Sequence, residues 1–85
     1  MPQVSNGHRF VVISERKEPG RWAQHSYDFD WTGSISSAMR RQSYRDELGL
    51  YSETYIRRLS VTRARRSSVR IRYIGAPLMR HECER

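Results

Sequence analysis

Eighty-five residues, 36% of them hydrophobic and 29% charged, with a formal net charge of +7 and a single cysteine, describe one small domain with a thin core. Such a chain leaves little room for a deep enclosed active site, and its one thiol, Cys83, has no partner for an internal disulfide. No apolar run approaches the roughly 20 residues of a membrane span, and the start MPQVSNGHRF lacks the basic-then-apolar order of a signal peptide, so a cytoplasmic protein with no membrane role is expected.

In chain order, residues 1–8 read as a flexible segment, 9–77 as a single α+β domain and 78–85 as a flexible tail. The stretch RFVVISERKEPGRWAQHSYDFDW predicts a first hairpin. Pro19 and Gly20 suit the two central positions of a type II turn. A two-residue loop there sets Phe10 opposite Phe29, Val12 opposite Tyr27, Ser14 opposite His25 and Lys17 opposite Trp22. Phe10, Val12, Tyr27 and Phe29 would then face the core, with Asp28 and Asp30 outward.

TGSISSAMRRQSYRDELG has a helix beginning at Ser34 or Thr32 and a left-handed stop at Gly49. Its apolar residues make no single stripe, which predicts about three turns with a break near Ser43. TYIRRLSVTRARRSSVRIRYIG alternates as two strands joined by an odd-numbered loop, such as Arg65 to Ser67, placing Val61 opposite Ile71 and Leu59 opposite Tyr73. The reverse face then pairs Thr62 with Arg70 and Ser60 with Arg72, with Arg58 next along, while Arg57 and Arg63 fall on the apolar side. Pro77 is expected to end the last strand. The order is β-β-α-β-β: two hairpins forming an antiparallel sheet packed on one short α-helix, which covers the shared apolar face.

The charge is unevenly spread. Residues 1–33 are neutral overall, and the whole excess lies in 34–85, where twelve Arg face five acids. From Thr54 to His81 there are eight Arg and no carboxylate. Fifteen Arg beside one Lys is compatible with a GC-rich gene, which accounts for the choice of Arg but not for the missing acids. Arg grips phosphate or carboxylate bidentately, and Ser60, Thr62, Ser67 and Ser68 add short donors between the forks.

Signals for catalysis are absent. There is no phosphate-binding loop, dinucleotide fingerprint, zincin helix or nucleophile elbow. His8, His25 and His81 lie far apart; only HEC, His81 to Cys83, joins soft ligands, and two of them on a tail fall short of a metal site. The expectation is therefore a non-enzyme without metal or cofactor.

Two functions fit. The first is a small basic module whose arginine face, Arg58, Arg70 and Arg72 with Arg65 and Arg66 at the tip, extended by Arg40 and Arg41 of the helix, binds a polyanion, with nucleic acid, DNA or RNA, the favoured partner. Aromatic stacking looks weak, with Tyr73 inward and Trp22, Tyr44, Tyr51 and Tyr55 left as candidates. The alternative is a protein inhibitor of the kind phages and mobile elements encode, anti-CRISPR-like in role. It would dock the same arginines, and Trp22, on an acidic or nucleic-acid-binding face of a nucleic-acid-processing complex.

Overall fold

A computed structural model describes residues 7–63 and 69–83. The chain runs β1 (Phe10–Arg16), β2 (Tyr27–Thr32), α1 (Ile35–Leu48), β3 (Tyr51–Arg63) and β4 (Val69–Glu82). The strands form one antiparallel sheet in the order β2-β1-β3-β4, so the two hairpins join where β1 lies beside β3. This is the expected β-β-α-β-β arrangement.

Ser34 caps α1, its Oγ accepting from the Ser37 amide at 3.2 Å, and Gly49 ends it in the left-handed region at φ 69°. The helix runs unbroken through Ser43 for 14 residues. Polar anchors hold its second half where an apolar stripe is lacking: Gln42 Nε2 donates to the Met79 carbonyl at 2.8 Å, and buried Arg45 donates to the Asp28 carbonyl at 2.8 Å. Arg45 also lies over the Tyr51 ring and 3.9 Å from Asp30.

The first hairpin departs from the expected register. Phe10 pairs with Thr32 and Ile13 with Phe29, and residues 17–26 form a long connection rather than a two-residue turn. The FVVI run is apolar on both faces, so hydrophobicity alone fits either register. What decides it is the ring of polar contacts around Asp28, which takes Arg16 at 2.8 Å and the Tyr51 hydroxyl. Within the connection, Ala23 N–H bonds to Gly20 O and Gly20 N–H to Ser26 Oγ, and Trp22 stands at the tip instead of opposite Lys17.

The register shift exchanges the faces of β2. Asp28, Asp30 and Thr32 lie on the helix side, and Tyr27, Phe29 and Trp31 on the other. Each face has its own core: Val12, Ile56 and Ala38 with Phe10 and Leu78 beneath α1, and Val11, Ile13 and Leu59 with Trp31, Tyr55 and Val61 on the helix-free face. Ser14 is fully buried on the helix side, where its hydroxyl meets Thr54 at 3.0 Å.

The second hairpin keeps the expected register, with Leu59 opposite Tyr73, Val61 opposite Ile71, Ser60 opposite Arg72 and Thr62 opposite Arg70. Its apolar side, however, is not the one the helix covers. Beyond Arg58 the β3–β4 pair continues past the start of β1 as a two-stranded ribbon. Pro77 does not end β4, which runs on to Glu82 across irregularities at Gly75 (φ 73°) and Met79 (φ 52°).

Candidate nucleic-acid interface

Arg58, Arg70 and Arg72 are exposed and share the helix side of the sheet, along the ribbon. Among the described residues none of the three enters an ion pair, and Ser60 and Thr62 alternate with them on the same side. Arg65 and Arg66 lie outside the described residues. Arg41 pairs with Asp30 of β2 at 3.5 Å, and Arg40 bonds Ser37, both at an open cleft of about 440 Å³ beside the end of β2. β2 and β4 are opposite edges of the sheet, with Arg41 against β2, Arg70 and Arg72 on β4, and Arg58 on β3 in the same cross-strand row as Phe10 and Thr32. Trp22, 91% exposed with Arg21 stacked on it, stands beyond the other end of β1 from the ribbon.

The helix-free face carries a second surface. One helix covers one face of a sheet, so Tyr27 and Phe29 of YDFDW, turned to the other side by the β2 register, remain open to solvent, while Trp31 is half-buried against Val11, Ile13 and Leu59. Tyr27 is 44%, Phe29 38% and Tyr73 47% exposed. Phe29 stacks on Trp31 at 5.9 Å between centroids. Two guanidinium groups lie among the rings: Arg57 4.6 Å from the Tyr73 centroid, and Arg80 4.7 Å from that of Tyr55. Arg57 also donates to the Gly75 carbonyl at 3.0 Å, while its buried Nε has no acceptor among the described residues. Ile71 and Val69 continue the apolar surface along the ribbon.

Acids collect at the far end of this face. Glu15 pairs with His25, and Glu53 takes Arg80 at 3.4 Å. Burial and the neighbouring Glu15 raise the Tyr27 hydroxyl above its usual range. Ser14, expected opposite His25, pairs instead with Asp28 across the strands and meets Thr54, while the His25 ring is held by Glu15. On the helix side, burial works to raise the Asp28 carboxyl, but hydrogen bonds from Arg16 and Tyr51 outweigh it and hold it below the usual range. Asp28 and Asp30 are therefore ion-paired supports under the helix, not outward carboxylates.

At the end of β4, His81 Nε2 lies 2.9 Å from Asp46 Oδ2, and Cys83 Sγ donates to Asp46 Oδ1 at 3.2 Å. Burial, reinforced by Asp46, pushes the Cys83 thiol up to about 11, so at neutral pH it is protonated and a poor nucleophile.

The sequence reading located the arginines of the second hairpin but missed Tyr27, Phe29, Trp31 and Tyr73 as a surface, together with Arg57 and Arg80. The signal was present in FVVI: four consecutive apolar residues in a strand bury both faces, and a single helix covers one. No family model, curated protein or solved structure matches this chain. Among the described residues, no helix is long and apolar enough to cross a membrane.

Proposed function

We propose that the protein is a non-enzymatic module that binds single-stranded nucleic acid across the helix-free face of its sheet. The observation that carries this reading is the open row of aromatic side chains with guanidinium groups set among them, on a chain of net charge +7. Unpaired bases stack on aromatic rings and on Arg planes, whereas a duplex keeps its bases stacked on one another. The two surfaces meet along β4: a strand crossing that edge passes Tyr73 on one side and Arg70 and Arg72 on the other. The acids near Tyr27 disfavour phosphate there, so the footprint runs from Phe29 and Trp31 toward the ribbon.

A second reading, a protein inhibitor of a nucleic-acid-processing complex, is favoured by Trp22. A solvent-exposed Trp at a loop tip, away from the ribbon arginines, is the type of anchor protein interfaces use. Fluorescence anisotropy with labelled single-stranded and duplex oligomers of DNA and RNA at two salt concentrations separates the readings. Single-strand binding that weakens on Tyr73→Ala and is indifferent to Trp22→Ala supports the first. Absence of binding at low salt, or equal binding of duplex, overturns it.

A further inference from the structure

We propose that Asp46, His81 and Cys83 form a binding site for a divalent transition-metal ion, zinc being the cation that their donor set fits best. The three side chains come from two elements, the last turns of α1 and the end of β4, and their ligand atoms all lie within 4.8 Å of one another. The contacts of 2.9 Å from His81 to Asp46 and 3.2 Å from Cys83 to Asp46 leave a small adjustment. Tetrahedral zinc with bonds of about 2.0 to 2.3 Å spaces its donors by about 3.3 to 3.7 Å. One thiolate, one imidazole and one carboxylate suit zinc, whereas calcium and magnesium take oxygen donors. Three protein ligands leave a fourth position for water, and partly exposed His81 puts that position at the surface.

Two further features accord with a bound ion at this cluster. The first is the hydrogen bonding of the imidazole. His81 Nδ1 lies 3.2 Å from the Met79 carbonyl, which can only accept, so Nδ1 carries the hydrogen. In the neutral ring Nε2 then presents a lone pair, and it faces a carboxylate oxygen. Two acceptors that face each other at 2.9 Å are bridged either by a proton or by a metal ion, and an Nδ1–H held by a backbone carbonyl is the usual outer partner of a metal-binding histidine.

The second is the bulge. Leu78 and His81 both face the helix although they are three residues apart, which an uninterrupted strand forbids. Met79, held in the left-handed region at φ 52°, supplies the extra residue. Its carbonyl is fixed by buried Gln42 of α1 at 2.8 Å as well as by the imidazole. A backbone conformation that a side chain disfavours is thus maintained where its effect is to carry His81, and with it Cys83 two positions on, to the side where Asp46 stands. A bound ion would fasten the end of β4 to the end of α1.

The site is tested on the intact protein, stripped with a chelator, kept reduced with a phosphine and titrated with Co2+ and then Zn2+. The expected result is a thiolate-to-cobalt charge-transfer band with intense tetrahedral d–d bands, saturating at a single equivalent and erased by Zn2+. Cys83→Ser should abolish the charge-transfer band, and His81→Gln and Asp46→Asn should each weaken Zn2+ binding by roughly tenfold or more. Circular dichroism reports whether each variant is folded. Zn2+ protection of wild-type Cys83 from alkylation gives a readout that needs no substitution. A folded wild-type protein without the charge-transfer band and without alkylation protection, in which an imidazolium–carboxylate pair accounts for the 2.9 Å contact, overturns the proposal. Variants that bind Zn2+ as tightly as the wild type overturn it equally.

Discussion

The guanidinium carbon of Arg57 lies 4.6 Å from the centroid of the Tyr73 ring, across the β3–β4 pair and on the face that α1 leaves open. The guanidinium lies over one surface of the ring, and its Nη2 donates to the Gly75 carbonyl, so the pair is pre-set as a cation–π unit. A base–aromatic stack contributes about 1 to 3 kcal/mol. Tyr73→Ala should therefore weaken single-strand affinity between about fivefold and 150-fold. Tyr73→Phe should keep most of it. Anisotropy titration of the two variants checks this, and comparable loss in both would remove the ring from the interface.

Phosphate contacts leave a different signature. The logarithm of single-strand affinity falls with the logarithm of salt at roughly 0.7 per phosphate neutralised. Arg70→Ala and Arg72→Ala, on the helix side of the ribbon, should each flatten that slope by about 0.7 if each engages a phosphate, nearly uniformly across oligomer sequences. An unchanged slope in the double variant would confine recognition to the aromatic face.

Asp28 gives the fold a pH dependence of known sign. Its carboxyl sits below the usual range because Arg16 and Tyr51 favour the ionised form over the opposing effect of burial. A carboxylate whose pKa is depressed on folding stabilises above its unfolded value, about 3.9, and that contribution is lost as pH falls through the folded value. Asp28→Asn should be less stable than the wild type at neutral pH, with the difference shrinking on acidification through the carboxylate range. Denaturant melts at several pH values measure it; a gap that widens in acid would contradict the assignment.

Two substitutions probe the core and the bent edge. Ile56, fully buried between Val12 and Ala38, should cost about 2 to 5 kcal/mol on truncation to Ala, a large share of the stability of a domain this small. Gly75→Ala meets no atom within 4 Å, so its cost of about 1 kcal/mol comes from the positive φ alone. Thermal or denaturant unfolding ranks the two, and Gly75→Ala matching Ile56→Ala would reveal packing at Gly75 that the structure lacks.

The second hairpin was legible because its pattern has one solution. Leu59, Val61, Ile71 and Tyr73 share a face only with an odd loop, and that register is the one found. The first hairpin was not, because Phe10 to Ile13 are apolar in both parities and Pro19–Gly20 offered a plausible but unused short turn. The decisive contacts, Arg16 and Tyr51 on Asp28 and Arg45 on its carbonyl, join residues up to 23 positions apart, beyond any local pattern. One register therefore hid the aromatic face, while Arg58, Arg70 and Arg72 kept their expected register but lie on the helix side of the sheet, the reverse of the face expected.

Among the described residues β4 closes the sheet with 14 residues that no further strand covers, the sort of edge along which copies of a protein can polymerise. Its irregularities interrupt that template: Pro77 lacks an amide hydrogen, Gly75 and Met79 turn the backbone out of line, and Arg70 and Arg72 would confront their counterparts on an approaching copy. The kinks that shape the end of this strand thereby make its edge a poor template for a second copy, beside a sheet face whose aromatic rings are uncovered.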